Sequence, residues 1–278
     1  MGPFFLVNCA MKVFFKKNKH MKRIIKVCVL SVMLVLFYSC ANDKSNDAKL
    51  LRKLIETVED SSKVTTVLTY KDNEIVSTDN SNEHVDYTYT DGLITTIVSK
   101  KKSDQSLVST SFTYDKGKLV QAKSSDGSET NYTHSADGSV TYEHFASNDK
   151  EGLIKQFHGV LTFEEGNLVK DNRVLDNSEV NLITKIDASY EYDTKNNPWF
   201  NIKAFDKLLI YNELISVNNS MLSVIENNTT NTKEDQIISS AKMHKSIFKY
   251  DSDDYPKEQI SENAKSNSGY LKSEYIYE

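Results

Sequence analysis

The stretch Tyr87-Thr88-Tyr89-Thr90-Asp91-Gly92-Leu93-Ile94 decides the fold class. Tyr87 and Tyr89 stand two apart, and on a strand such residues share one face. Asp91-Gly92 is a two-residue turn signal, because a type I′ turn needs positive φ at both central positions and glycine supplies it without strain. Folded over that turn, Tyr89 is expected opposite Ile94 and Tyr87 opposite Thr96. Aromatic–aliphatic pairs across two strands are a stabilising unit of a sheet. The stretch therefore reads as a β-hairpin.

The same pattern recurs: an apolar residue, Thr, an aromatic, two residues, Gly or Asn, one residue, an aliphatic. It fits Leu68-Thr69-Tyr70 with Asn73 and Ile75, and Phe112-Thr113-Tyr114 with Gly117 and Leu119. It also fits Leu161-Thr162-Phe163 with Gly166 and Leu168. A longer copy runs Tyr132-Thr133-His134 to Asp137-Gly138 and Val140. Two late copies keep the paired aromatics and change the turn: Tyr190-Glu191-Tyr192 leads to Asn197-Pro198-Trp199, and Phe248-Lys249-Tyr250 leads to Tyr255-Pro256. The last strand, Tyr275-Ile276-Tyr277, has no return. The Thr between the apolar positions falls on the opposite, wetter face.

Charge and cysteine are both concentrated at the start. Residues 1–40 hold 7 Lys or Arg and no acid, so the rest holds 34 − 7 = 27 basic and 39 acidic residues, a formal charge of −12. So acidic a body is a poor partner for nucleic acid. Cys9, Cys28 and Cys40 are all of the cysteines, so no disulfide framework or thiolate metal site can form in the body.

Met21-Lys22-Arg23 opens a basic segment, an apolar run follows from Ile24 to Tyr38, and Ser39-Cys40 closes it. That is the layout of a secretory signal with a lipidated cysteine after the cut, and the run is shorter than the roughly 20 residues a membrane span needs. The expected organisation is a signal segment at 1–40 with its true start at Met21, a polar tether at 41–49, and one β-repeat domain at 50–278. Lipidated Cys40 would hold the protein to the bacterial envelope. Ala41 after the cysteine favours the outer membrane over inner-membrane retention; nothing chooses its periplasmic or surface face.

Two stretches depart from the strand pattern. Leu50, Leu51, Leu54, Ile55 and Val58 fall on one helical face, predicting a helix over Asp47–Asp60, with a short strand as its rival. Trp199, Ile202, Phe205, Leu208 and Leu209 predict a short helix or an irregular apolar lid within 198–215.

The Y-x-Y-D, Gly, Leu pattern is similar to the YD repeat of RHS-type bacterial cell-surface proteins. A group of Bacteroidota envelope lipoproteins is more similar still, pairing Y-x-Y strands with a late N-P-aromatic and a later Y-P. Here those are Asn197-Pro198-Trp199 and Tyr255-Pro256, with Ser216-Val217-Asn218-Asn219 between them. The resemblance covers about residues 50–278; it implies an envelope lipoprotein and brings no active site or cofactor.

No catalytic or metal site emerges. His84, His134, His144, His158 and His244 form no H-E-x-x-H spacing; His134 and His144 could converge on neighbouring strands. There is no G-x-S-x-G elbow. Asp251-Ser252-Asp253-Asp254 is acidic but lacks the glycine and terminal Glu of an EF-hand, and reads as a turn. The aromatic stripe has two readings. Tyr87, Tyr89, Tyr114 and Trp199 either face a ligand or belong to the buried face of the sheet.

The expected fold is all-β, a long antiparallel meander of hairpins curled into an open half-barrel, with one or two short helices. The expected function is a non-enzymatic, lipid-anchored binding or structural module without a cofactor. Its partner would be a glycan, a lipid or a protein. The alternatives are a lipid or lipoprotein carrier using the groove, and a hydrolase with an unrecognised site.

Overall fold

The computed structural model describes residues 49–58, 60–148, 152–176, 181–262 and 271–278. The expectations for the signal segment, Cys40 and most of the tether lie outside the described residues. Residues 48–278 form one compact unit.

Sixteen strands make up this unit. They are β1 (Leu51–Thr57), β2 (Lys63–Lys71), β3 (Glu74–Asp79), β4 (Glu83–Thr90), β5 (Leu93–Lys101), β6 (Leu107–Asp115), β7 (Lys118–Ser124) and β8 (Glu129–His134), followed by β9 (Val140–Asn148), β10 (Gly152–Glu164), β11 (Asn167–Leu175), β12 (Leu182–Tyr192), β13 (Ser220–Asn231), β14 (Gln236–Tyr250), β15 (Pro256–Glu262) and β16 (Lys272–Tyr277). Each pairs antiparallel with its chain neighbours, and β1 pairs with β16 through Leu54↔Tyr275 and Thr57↔Lys272. The meander is therefore a closed barrel, not an open half-barrel. Sixteen strands twisting in one sense bring the first and last edges together, and closure satisfies both rows of backbone groups that an open sheet leaves bare.

The expected helix at Asp47–Asp60 is replaced by β1. A register shift between Leu51 and Lys53 resets the parity of the strand. Leu51 is fully buried and Leu54 faces the same interior three residues on. A bulge thus imitates the helical period in the sequence.

The hairpins follow the repeat, with one addition. Tyr89 opposes Ile94 as expected, but Tyr87 opposes Ile97 instead of Thr96. The return strand carries one extra residue, Thr95, and the same shift follows the Thr at Thr69, Thr113 and Thr162. Asp91 and Gly92 have φ of 51° and 76°, as a type I′ turn requires. Behind each turn the aliphatic of the repeat is buried: Ile75, Ile94, Leu119, Val140 and Leu168 form a belt at one end of the barrel.

Four of these ring positions latch this end of the barrel. Tyr70 donates to the Leu51 carbonyl at 2.8 Å, Tyr114 to Ile94 at 2.7 Å and Tyr192 to Leu168 at 2.6 Å. His134, which stands in the Tyr position, places Nε2 2.8 Å from the Leu119 carbonyl. Each polar tip spans from one hairpin to the one before it, leaving the ring in the core.

The expected lid at 198–215 is irregular, with 3₁₀ turns at Phe205–Lys207 and Leu209–Ile215. It plugs the belt end: Ile202, Phe205, Leu208, Leu209 and Ile215 are buried. Lys203 N–H donates to the Asn73 carbonyl and Val217 N–H to Gly166, so the plug is tied to the turns. The late N-P-aromatic and Ser-Val-Asn-Asn motifs are its fastenings. Asn197 Oδ1 accepts from Trp199 N–H at 2.9 Å, Ser216 Oγ accepts from Leu168 N–H at 3.1 Å, and Asn218 and Asn167 exchange two bonds at 3.0 Å.

The two faces of the wall differ in chemistry. On β2, Lys63, Thr65, Val67, Thr69 and Lys71 are exposed and alternate with Val64, Thr66, Leu68 and Tyr70. On β4, Asp86, Thr88 and Thr90 are exposed. Lys249 and Lys272 both pair with Glu258 on the outside, at 2.6 and 2.7 Å. Exposed aliphatics such as Val67, Met243, Ile247 and Ile276 stand among these charges, and no described Tyr or Trp is exposed.

Candidate functional site

The lumen above the plug holds a cavity of about 620 Å³. Its floor is the plug, with Trp199, Tyr211 and Glu213; its wall is β1 and β12–β16, with Glu56, Tyr190, His244, Phe248, Gln259 and Tyr275. The floor is made rigid by a stack. Trp199 lies 5.3 Å from Phe205 at 19°, and Phe205 lies 5.1 Å from Tyr211 at 6°. Offset stacks of this kind contribute beyond their buried area.

Of the aromatics expected to face a ligand, Trp199 lines this cavity. Tyr87, Tyr89 and Tyr114 pack against the core cluster instead. Tyr87 is hydrogen-bonded to Tyr211. Tyr89 donates to the Lys203 carbonyl at 3.0 Å and accepts from Ile75 N–H at 3.2 Å. Burial pushes the Tyr114 phenol up to about 12.

The wall around Glu56 is chemically ordered. Tyr275 donates to Gln259 Oε1 at 2.5 Å, and Gln259 Nε2 donates to Ser246 Oγ at 2.9 Å. Glu56 takes no part in this relay, and burial pushes its carboxyl up to about 7. Reading β1 as a helix hides Glu56, because only the strand parity after the bulge turns it inward. Tyr190, Phe248 and Tyr275 stand in the aromatic slots of the late repeats, which is the signal by which they could be found.

A second polar group is spent inside the wall. Asp171, 1% exposed, accepts from Tyr142 at 2.5 Å and from Arg173 Nε at 2.9 Å. The Arg173 guanidinium lies 5.6 Å from the Phe157 ring centre, and His144 stacks on the same ring at 4.6 Å. Gly159 makes room, since a Cβ there would sit 2.7 Å from the Tyr142 ring and 2.6 Å from the Asn172 carbonyl. His134 and His144 do not converge: His144 opposes Thr130, four residues along β8 from His134. The acidic turn is ion-paired, Lys49 reaching Asp251 at 2.6 Å and Asp253 at 2.8 Å, and Lys195 reaching Asp254 at 2.7 Å. Among the described residues no group of three or more His, Cys, Asp or Glu is placed to hold a metal.

The solved structures offer a likeness in fold. A porin-like protein from Bacteroides vulgatus superposes with a TM-score of 0.52 at 13% identity, over 83% of this chain and 99% of that one. A porin-like protein from Bacteroides uniformis gives 0.48 at 9% identity, over 82% and 98%. No family model matches the chain. No curated protein matches it either. The first likeness shows the fold, a closed barrel of neighbouring antiparallel strands.

Proposed function

We propose that this chain is a lipid-anchored protein of the bacterial envelope whose barrel stays in water and binds a small molecule in its lumen, without catalysis. The observation that carries this is the polarity of the wall. A barrel that crosses a bilayer is apolar outside, with aromatic girdles over a band about 25 Å tall, and polar inside. Here Thr, Lys, Asp and Glu stand outside with aliphatics such as Val67 and Ile276 scattered among them and no exposed Tyr or Trp among the described residues, and the core aromatics and aliphatics point inside. The likeness to the porin-like protein from Bacteroides vulgatus therefore supports the architecture and not a pore through a membrane. A lumenal cavity of about 620 Å³ lies within the roughly 300–1,000 Å³ of small-molecule sites.

The lining counts against an acyl chain, because Glu56 and Lys242 would lose water and gain no partner. A ligand with both polar groups and an apolar face suits it better. The anchor at Cys40 rests on the signal layout of residues 21–40, and the outer-membrane address on Ala41 after the cysteine.

The test uses residues 48–278 in buffer without detergent. The protein should be monodisperse, and occupancy of the lumen should shift the emission of Trp199, the one tryptophan of the chain. A body that dissolves only in detergent would refute the reading.

A further inference from the structure

The cavity carries one inference about its ligand, which rests on the lumenal reading above. Glu56 projects into it from β1, beside Leu54 and Tyr275. Among the described residues no donor or cation offsets the burial of its carboxyl, and desolvation alone raises its pKa. The donors on β16 and β15 are already committed: Ser273, opposite Glu56, is hydrogen-bonded to Tyr275, Tyr275 donates to Gln259, and Gln259 donates to Ser246. Lys242 and His244 line the cavity from β14, Glu213 and Tyr211 from the plug, and Tyr190 from β12; no ion pair joins Lys242 to Glu56. From β2 the residue opposite Glu56 is Val64.

A carboxylate that shares its cavity with the rings of Tyr275, Phe248, Tyr190 and Trp199 suits a cation. An ammonium forms a charge-assisted hydrogen bond with the acid and is attracted by the ring faces, whereas a neutral hydroxyl gains only an ordinary hydrogen bond. The body's formal charge of 27 − 39 = −12 raises the local concentration of cations over anions. We propose that the lumen binds a primary amine carried on a ring or other compact apolar body, with its ammonium on Glu56 and its apolar face on the aromatic floor.

The experiment follows Trp199 emission of the full-length protein titrated with cyclohexylmethylamine and with cyclohexylmethanol, which differ in ammonium against hydroxyl. Maltotriose serves as a polar neutral probe. The amine should bind about tenfold more tightly than the alcohol. That advantage should vanish in E56Q, and in the wild type it should grow from about pH 5.5 to about pH 8.5 as the carboxyl ionises while the amine stays charged. Unliganded emission and circular dichroism of E56Q should match the wild type, showing that the barrel is intact. Equal binding of amine and alcohol, or an undiminished preference in E56Q, would overturn the amine assignment and leave the lumenal reading standing. Silence of Trp199 towards all three probes would remove both.

Discussion

At the scale of single residues, the tyrosines explain why one spacing recurs through the chain. The rings of Tyr70, Tyr114 and Tyr192 pack on the core and each hydroxyl finds a backbone carbonyl one strand or hairpin back, so the phenol is satisfied without leaving the core. Tyr114→Phe removes the bond to Ile94 and should cost about 1 kcal/mol in urea unfolding. Asp171→Ala leaves Arg173 and Tyr142 facing a void and should cost about 3–5 kcal/mol in the same measurement. Glu56 gives a pH dependence with a definite sign. Its folded constant, about 7, lies above its ordinary value of 4.5, so folding favours the protonated form. That contribution is fully present below about pH 4.5 and is lost as pH rises through about 7. Between those limits the wild type should lose about 2 kcal/mol relative to E56Q, allowing for water in the lumen. Unfolding curves at several pH values measure it, and parallel curves for the two proteins would contradict the burial of Glu56. None of these roles but the ring's burial was legible beforehand. Tyr70 and Tyr114 announce an apolar face, but the carbonyl each one meets belongs to another hairpin.

At the scale of elements, the hairpin was legible and its partner edge was not. Tyr89 opposite Ile94 follows from the turn alone. Tyr87 opposite Ile97 does not, because a bulge at Thr95 has no residue signature of its own. The same blindness turned β1 into a helical face, since the bulge after Leu51 gives two inward leucines three apart. Closure also lies outside local pattern, for it is a contact between residues such as Leu54 and Tyr275 on the first and last strands. The plug was visible as a change of period near Trp199, and its fastening motifs were visible as residues without a role. Phe205, 3% exposed and stacked between Trp199 and Tyr211, is the keystone of this element. Phe205→Ala should cost about 3–5 kcal/mol and shift Trp199 emission to the red as water enters the floor. Gly92→Ala forces a side chain onto a φ of 76° and close to Lys203, and should cost about 1 kcal/mol or more in unfolding.

At the scale of the whole molecule, the wet side of the wall separates a barrel in water from a barrel in a bilayer. The outward Thr of the repeat was legible as the wetter face, but only a closed barrel turns that face into the entire outer surface. Cysteine occurs only in the first forty residues, so single cysteines placed at Thr69, Thr88 and Thr113 can each carry an environment-sensitive dye. All three positions are exposed on the outer wall. With residues 48–278 mixed with lipid vesicles, all three dyes should be quenched by aqueous iodide and left untouched by nitroxide-labelled acyl chains. Quenching by the acyl-chain nitroxides, with protection from iodide, would put the outer wall in the bilayer and contradict the account.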